Sequence, residues 1–408
     1  MSVMSAPTQL SRSAEHLPKS ARSRWPVFEP DEIEAATNVL RIGAINSLHH
    51  GAQCNAFQRG MAELCEVPYA VAVANGTLAL ELALRALNIG PGDEVIVPAR
   101  SFMASASCVF ACGASPVFAD VDADSQNITA ESIEAVTTSR TKAAIVVHLA
   151  GWPCEMNEIM DFAERRGLAI IEDCAQAHGA RINGRPVGSY GDASAFSFCT
   201  DKIISTGGEG GMVVMKDRDV WRRAWAYKDH GKDPETYSAI VPGPDFLWLH
   251  SSLGSNLRMT EFQAAIGNCQ LAKLDGWWER RERNATAFEE QLSDLDAVRI
   301  ARPRHDIKHA RYKYYAFIRP ERLKHLWSRR RILEEAVSAG MQCSTGSCPE
   351  MYLEEAFRDY RLRPDKRLPV ARQLGETSIM VPIDPTLSPA DLEASGQLLR
   401  HIIQRASE

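Results

Sequence analysis

The sequence predicts an α/β protein, a large domain with a mostly parallel sheet flanked by helices plus a smaller C-terminal α+β domain. Three observations carry this expectation. Apolar strand-like runs recur at 69–74, 94–98, 116–120, 143–149 and 168–173. Helical patterns such as "TLALELALRALN" and "EMNEIMDFAERRG" separate them, which is the alternation of a parallel sheet buried on both faces. After "GDASAFSF" and "GGMVVMK" the pattern gives way to one long amphipathic stretch, "MTEFQAAIGNCQLAKLDGWWERRERNATAFEEQL". That stretch carries the chain away from the sheet, so 25–275 are assigned to the large domain and 276–408 to the small one. The 408 residues, 45% hydrophobic, exceed the roughly 250–300 at which a single core stops growing.

Residues 1–24 are rich in Ser, Arg and Pro without periodicity and read as a mobile N-terminal arm. The arm lacks the apolar centre of a signal peptide, and no run approaches a membrane-spanning length. A formal net charge of -6 and a sequence pI near 6.0 give no electrostatic basis for binding nucleic acid or anionic membranes. The Arg-rich pieces "WWERRERN" and "SRRRIL" read as solvated helix faces. Ten scattered cysteines without a Cys-x-x-Cys pair point to reduced thiols, a cytoplasmic setting and no metal site. Cys108 and Cys112 read as packing residues. Cys199 either lines a pocket beside Lys202 or is buried, the reading favoured because free cysteines are among the most buried residues.

Ligands of open α/β sheets bind at the carboxyl ends of the strands, and there the sequence turns polar. The first run ends in "NGT" and enters a helix whose free N–H groups, with the Thr77 hydroxyl beside them, suit a phosphate. An ordinary turn with an N-cap is the alternative. The fifth run ends in "EDCAQAHG", where Asp173 pairs with a protonated ring nitrogen or merely caps a turn. The segment "AFSFCTDK" delivers Ser197 and Lys202 to the same edge. In "SFCTDKIISTGGEGGM" the glycines follow the lysine and Ile203 succeeds it, which excludes the phosphate loop of nucleotide hydrolases. Lys202 is then a buried structural lysine, a surface lysine at a strand end, or a partly desolvated nucleophile. Phosphate site, acid and lysine together suit pyridoxal phosphate. That cofactor needs an amine for its aldehyde, an acid opposite its ring nitrogen and a helix start for its phosphate.

From about Trp25 onward the chain carries "AVANGTLALELAL", "GDEVIVPARSF", "PVFADVD", "RTKAAIVVHLAGWPCEM", "IIEDCAQAHGA", "GSYGDASAFSF", "DKIISTGGEGGMV", "SNLRMTEFQAAIG" and "RLPVARQLGETS" in that order. In these stretches it resembles the DegT/DnrJ/EryC1/StrS family of PLP-dependent sugar aminotransferases, which has the aspartate aminotransferase fold, fold type I. The resemblance implies that Lys202 bonds covalently to the cofactor aldehyde and that Asp173 holds the ring proton. It implies further that Gln176 hydrogen-bonds the ring oxygen, and that Gly76, Thr77 and Ser197 bind the phosphate. Phe102 falls at the position whose ring stacks on the cofactor, the alternative being one more core aromatic. Asn256, in "SNLR", matches a residue that reaches across a homodimer interface to the partner's phosphate.

Departures from the family pattern fall around the substrate. "CTDK" stands where many members have "YPTK", and "INSLHHGAQCNAF" lacks the aromatic residues often present in that loop. His49, His50, His178 and His230 contact a sugar or its phosphate, or are surface or satisfied core histidines; Glu209 has no assigned role. The implied reaction transfers an amino group from an amino acid, glutamate, to a nucleotide-linked keto-deoxysugar in aminosugar or surface polysaccharide biosynthesis. The alternatives are a keto-cyclitol or free keto sugar as acceptor, or a PLP-binding regulatory protein without turnover. Sugar dehydratases of the family replace the lysine, and Lys202 argues against them.

Overall fold

The computed structural model describes residue 17 and residues 21–407, apart from 241, 242, 244, 245, 359 and 361. Most of the expected N-terminal arm lies outside these. Its described part is tied down: the main-chain N–H of Ser23 donates to Gln342 Oε1 at 2.6 Å and that of Arg24 to Thr386 Oγ1 at 3.0 Å.

Helices α1 (Pro30–Ile42) and α2 (Ala52–Leu64) precede strand β1 (Tyr69–Val73). The chain then alternates through α3 (Gly76–Ala86), β2 (Glu94–Pro98), α4 (Ala104–Ala111), β3 (Ser115–Ala119), α5 (Ala130–Glu134), β4 (Thr141–Val147), α6 (Met156–Arg166) and β5 (Ala169–Asp173). A short hairpin, β6 (Arg181–Ile182) and β7 (Arg185–Pro186), leads to β8 (Ala193–Ser197) and β9 (Gly211–Met215). Seven strands form one sheet in the order β1-β9-β8-β5-β4-β2-β3. β8, β5, β4, β2 and β3 run parallel, and β9 is antiparallel to both neighbours. The five expected runs lie within two residues of the observed strands.

Strand alternation fills both faces, as a sheet covered on two sides requires. Val71 and Val73 of β1 and Ile145 and Val147 of β4 pack with Leu82 of α3 and Val109 of α4 on one face. Ala72 of β1 and Phe196 of β8 pack with Phe57 and Met61 of α2 on the other, where Val146 of β4 meets Phe162 of α6. Each fully buried Val, Ile or Phe side chain contributes roughly 1.5–3 kcal/mol. This burial holds the strand ends in fixed register and so fixes where the polar residues after them lie.

Beyond β9 come α7 (Arg218–Lys228), α8 (Pro234–Ser238) and the 30-residue α9 (Glu261–Glu290), which starts with a Thr260–Gln263 capping box. At 1.5 Å per residue α9 spans about 45 Å. Its first half, through Ala264 and Leu274, packs beneath the large sheet. Its last turns, through Ala285 and Phe288, join a separate core. That core is built on β10 (Val298–Arg299), β12 (Lys313–Ile318) and β13 (Ser378–Pro382), all antiparallel, while β11 (Ile307–Lys308) pairs with β6. Helices α10 (Arg329–Ser338) and α12 (Pro389–Ala406) cover it, and α11 (Pro369–Thr377) leads into β13. The helix runs unbroken through 275 and 276, where the sequence divides the chain.

Candidate active site

At the carboxyl end of β1 the side chain of Asn75 accepts the Leu78 N–H at 2.9 Å, and its carbonyl accepts that of Ala79. Among the described residues this leaves the N–H groups of Gly76 and Thr77 as open donors at the start of α3. Gly76 has no room for a side chain, because a Cβ there would stand 2.5 Å from Ser197 Cβ. Helix start and Ser197 hydroxyl therefore share one small cradle, with Thr77 exposed at its rim. Gly211 serves the same approach, since a Cβ on it would meet the Asn75 carbonyl at 2.3 Å. Gly207 and Gly208 act differently: φ values of 82° and 118° turn the chain back after Lys202 at little cost to glycine.

Asp173 ends β5 and is buried. Its Oδ1 accepts the Ala175 N–H at 3.1 Å and its Oδ2 the Ser105 hydroxyl at 3.3 Å. Ser105 is in turn bonded to Ser101 at 2.9 Å. Burial pushes the Asp173 carboxyl above its ordinary value; the Ala175 N–H, the Lys202 charge and the Ser105 hydroxyl only partly offset this. A desolvated carboxylate of that kind gains from a cationic partner. The preceding residue, Glu172, is anchored instead. It accepts hydrogen bonds from His148, the Gly188, Tyr190 and Gly191 N–H groups and the Ser194 hydroxyl. Burial works against its charge, but the His148 bond first among these holds its pKa below the ordinary value. Cys154 N–H donates to His148 Nδ1, so Nε2 carries the proton given to Glu172.

Lys202 is half-buried. Its Nζ lies 3.8 Å from Asp201 and 5.2 Å from the centre of the Tyr312 ring, and the Tyr312 hydroxyl donates to Asp201 at 2.5 Å. Gln176 is buried, and its Oε1 accepts the Ala150 N–H at 2.7 Å. With its carbonyl end engaged, the amide nitrogen of Gln176 is turned into a donor for an acceptor oxygen. The structure thus brings Gly76, Thr77, Asp173, Gln176, Ser197 and Lys202 to the carboxyl ends of β1, β8 and β5, with the antiparallel β9 lying between β1 and β8.

Two expected residues stand apart. Phe102 follows β2 with 68% of its surface exposed, which rules out the reading as a core aromatic. Asn256 is exposed and pairs with Asp229 through the main chain, and its Oδ1 accepts from Arg258 at 3.1 Å. His49, His50 and His230 are exposed. His178 is buried between Phe196 and Phe198. Burial first, then the charges of Lys202 and Arg281, push its pKa down to about 3, so its ring is neutral. Cys199 is half-buried with its thiol 3.8 Å from the exposed Glu209 carboxylate, a correction to the expectation of burial; the turn after β8 lifts it out of the core. Ser105, Tyr312 and Asp201 escaped the sequence reading. Ser105 sits in a small-residue helix that reads as packing, and Tyr312 arrives from beyond α9.

A mostly parallel sheet with this strand order and a lysine-bearing turn after β8 has the architecture of the fold-type-I transferases. The chain belongs to the DegT/DnrJ/EryC1/StrS aminotransferase family, whose model matches residues 27–399. It is 44% identical over 269 residues to a UDP-N-acetyl-3-dehydro-alpha-D-glucosamine 3-aminotransferase of Acidithiobacillus ferrooxidans, covering 66% of this chain and 70% of that one. It is 34% identical over 368 residues to the GDP-perosamine synthase of Escherichia coli O157:H7, covering 89% and 94%. The crystal structure of an aminotransferase from Psychrobacter cryohalolentis superposes with a TM-score of 0.92 at 46% identity, over 94% of this chain and 99% of that one.

Proposed function

We propose that this aminotransferase moves the amino group of an amino acid, glutamate, to a nucleotide-linked keto-deoxysugar, with pyridoxal phosphate as cofactor, in the cytoplasm. The product would be an aminosugar for surface polysaccharide or other glycan synthesis. The observation that carries the reading is the convergence of a buried acid, an amine and an open helix start at one sheet edge. The sugar nucleotides named for the two relatives support the acceptor class. The ten free cysteines accord with a reducing compartment, and no described helix is long and apolar enough to cross a membrane.

The residues present fit the cofactor. The Gly76–Ser197 cradle suits a phosphate, the Gln176 amide nitrogen suits a ring oxygen, and Asp173 gains relief from a ring N–H beside it. Pyridoxal phosphate, when bound, supplies an aldehyde for bonding to an amine and a protonated ring that withdraws electrons. Lys202 would hold it through its amine, and the same Nζ, when free, would take up the proton of the donor's α-carbon and pass it on. Asp173 would supply the negative charge that keeps the ring nitrogen protonated. Phe102, exposed after β2, would be available to stack on the ring.

Purified protein loaded with cofactor and incubated with glutamate and a panel of nucleotide keto-sugars should give one product with the mass of the amino sugar. Turnover of a free keto sugar or keto-cyclitol alone would move the substrate class. No turnover of any acceptor, with cofactor bound, would leave a binding protein.

Asn256 is assigned to the cofactor phosphate of a partner subunit in a homodimer, a reading supported by its exposure and by its bonds to Asp229 and Arg258. Lys202→Ala and Asn256→Ala chains, each impaired alone, are then expected to complement when refolded together. Random pairing makes about half the dimers mixed, and in each of these one site regains both groups. Roughly a quarter of all sites should recover. Activity no higher than the parental mean, despite verified mixed dimers, would rule out sharing.

A further inference from the structure

Lys202 is also held through its main chain, from the far end of the sequence. The indole N–H of Trp25 donates to the Lys202 carbonyl at 2.8 Å. The Trp25 ring stands edge-on to Trp277, with centroids 4.9 Å apart and planes at 87°, and the Arg281 guanidinium lies 5.3 Å from its centre. Trp277 and Arg281 are buried one turn apart on α9. Nη1 of Arg281 reaches the carbonyls of Arg311 and Tyr312 at 3.4 and 3.3 Å. Tyr312 is the residue whose ring faces the Lys202 amine. The lysine is therefore braced twice, at its carbonyl by Trp25 and beside its amine by Tyr312, and both braces rest on Arg281.

We propose that Trp25 is a positioning residue for Lys202, its indole N–H fixing the peptide from which the amine is aimed. The turn that carries Lys202 lies outside regular structure and is followed by the two left-handed glycines. It gains from an external support of this kind. An amine about 6 Å from its Cα is displaced by roughly 1 Å when the Cα tilts by about 10°, and an error of that size costs on the order of a hundredfold in a reacting geometry. The flanking residues Ser23 and Arg24 are bonded to the small core. The position of the lysine is thereby coupled to that of residues 342 and 386.

The inference rests on Lys202 as the covalent anchor, and its test separates the two ideas. Pyridoxal phosphate engages the lysine, whereas pyridoxamine phosphate uses the same cradle, acid and glutamine without a covalent bond. Trp25→Phe keeps a ring between Trp277 and Arg281 and removes the N–H. It is expected to weaken pyridoxal phosphate binding by about fivefold, the size of one hydrogen bond, and to leave pyridoxamine phosphate binding unchanged, both read by equilibrium dialysis. A benzothiophene analogue of tryptophan at position 25 keeps the full shape without the N–H, and should give the same split even if the phenylalanine variant folds poorly. Equal weakening of both forms, or of neither, overturns the positioning role and leaves it a packing residue. Wild-type protein that binds pyridoxamine phosphate but forms no bond with pyridoxal phosphate overturns the role of Lys202 itself, and this inference with it.

Discussion

Lys202→Ala is expected to remove the covalent adduct that borohydride reduction traps between protein and cofactor, and to lower amino transfer by at least about a thousandfold. Loss of a general base alone costs about a hundredfold to ten-thousandfold, and the variant loses the covalent anchor as well. The fold should survive. The ammonium is half-buried and 3.8 Å from its nearest carboxylate, too loose a pair to hold the turn. Lys202→Arg sharpens the experiment: it keeps a positive charge near Asp173 and cannot form the bond, so cofactor affinity should fall less than in the alanine variant while the adduct is equally absent. A trapped adduct in Lys202→Ala would place the bond elsewhere. Lys313 is the competitor to check, because its Nζ lies 4.8 Å from the same Tyr312 ring.

The strand ends that build this site were legible because each is a local event, an apolar run closing on "NGT", "EDC" or "SFC". Parallel strands buried on both faces read as continuous hydrophobic runs, so the sheet announced itself. Direction did not. β9 is as apolar as its neighbours, and nothing in "GGMVVMK" says that it runs antiparallel. The supports of the site were hidden for a different reason. Trp25, Arg281 and Tyr312 lie far apart in sequence and meet only because α9 bridges two cores, a contact that no periodicity encodes. Ser105 was obscured by its surroundings, since a hydroxyl in "ASASCVFA" fits tight packing as well as it fits a hydrogen bond to Asp173. Cys199 misled because burial statistics speak for a residue type and take no account of the turn that carries this thiol out beside Glu209.

Asp173→Asn is expected to leave the fold intact and slow amino transfer by roughly a hundredfold or more, about 3 kcal/mol of barrier, the scale of a preorganised charge facing a developing one. The amide can still accept the Ala175 N–H, and the Ser105 hydroxyl can rotate to accept from its NH₂. What disappears is the charge opposite the ring nitrogen. The same substitution has an opposite expected effect on stability. Burial raises the Asp173 pKa in the folded protein, so folding favours the protonated acid. The ionised form therefore destabilises the cofactor-free fold above the folded pKa, and this cost vanishes as pH falls below the unfolded value. Cofactor-free Asp173→Asn should accordingly melt at or above the wild-type temperature at pH 8, with the difference shrinking as the pH is lowered. Thermal unfolding across that range, set beside turnover at pH 8, separates two roles. A site acid held against its own solvation gives a slower and equally or more stable variant, whereas an acid that merely caps the turn at Ala175, a bond the amide keeps, gives near-normal turnover.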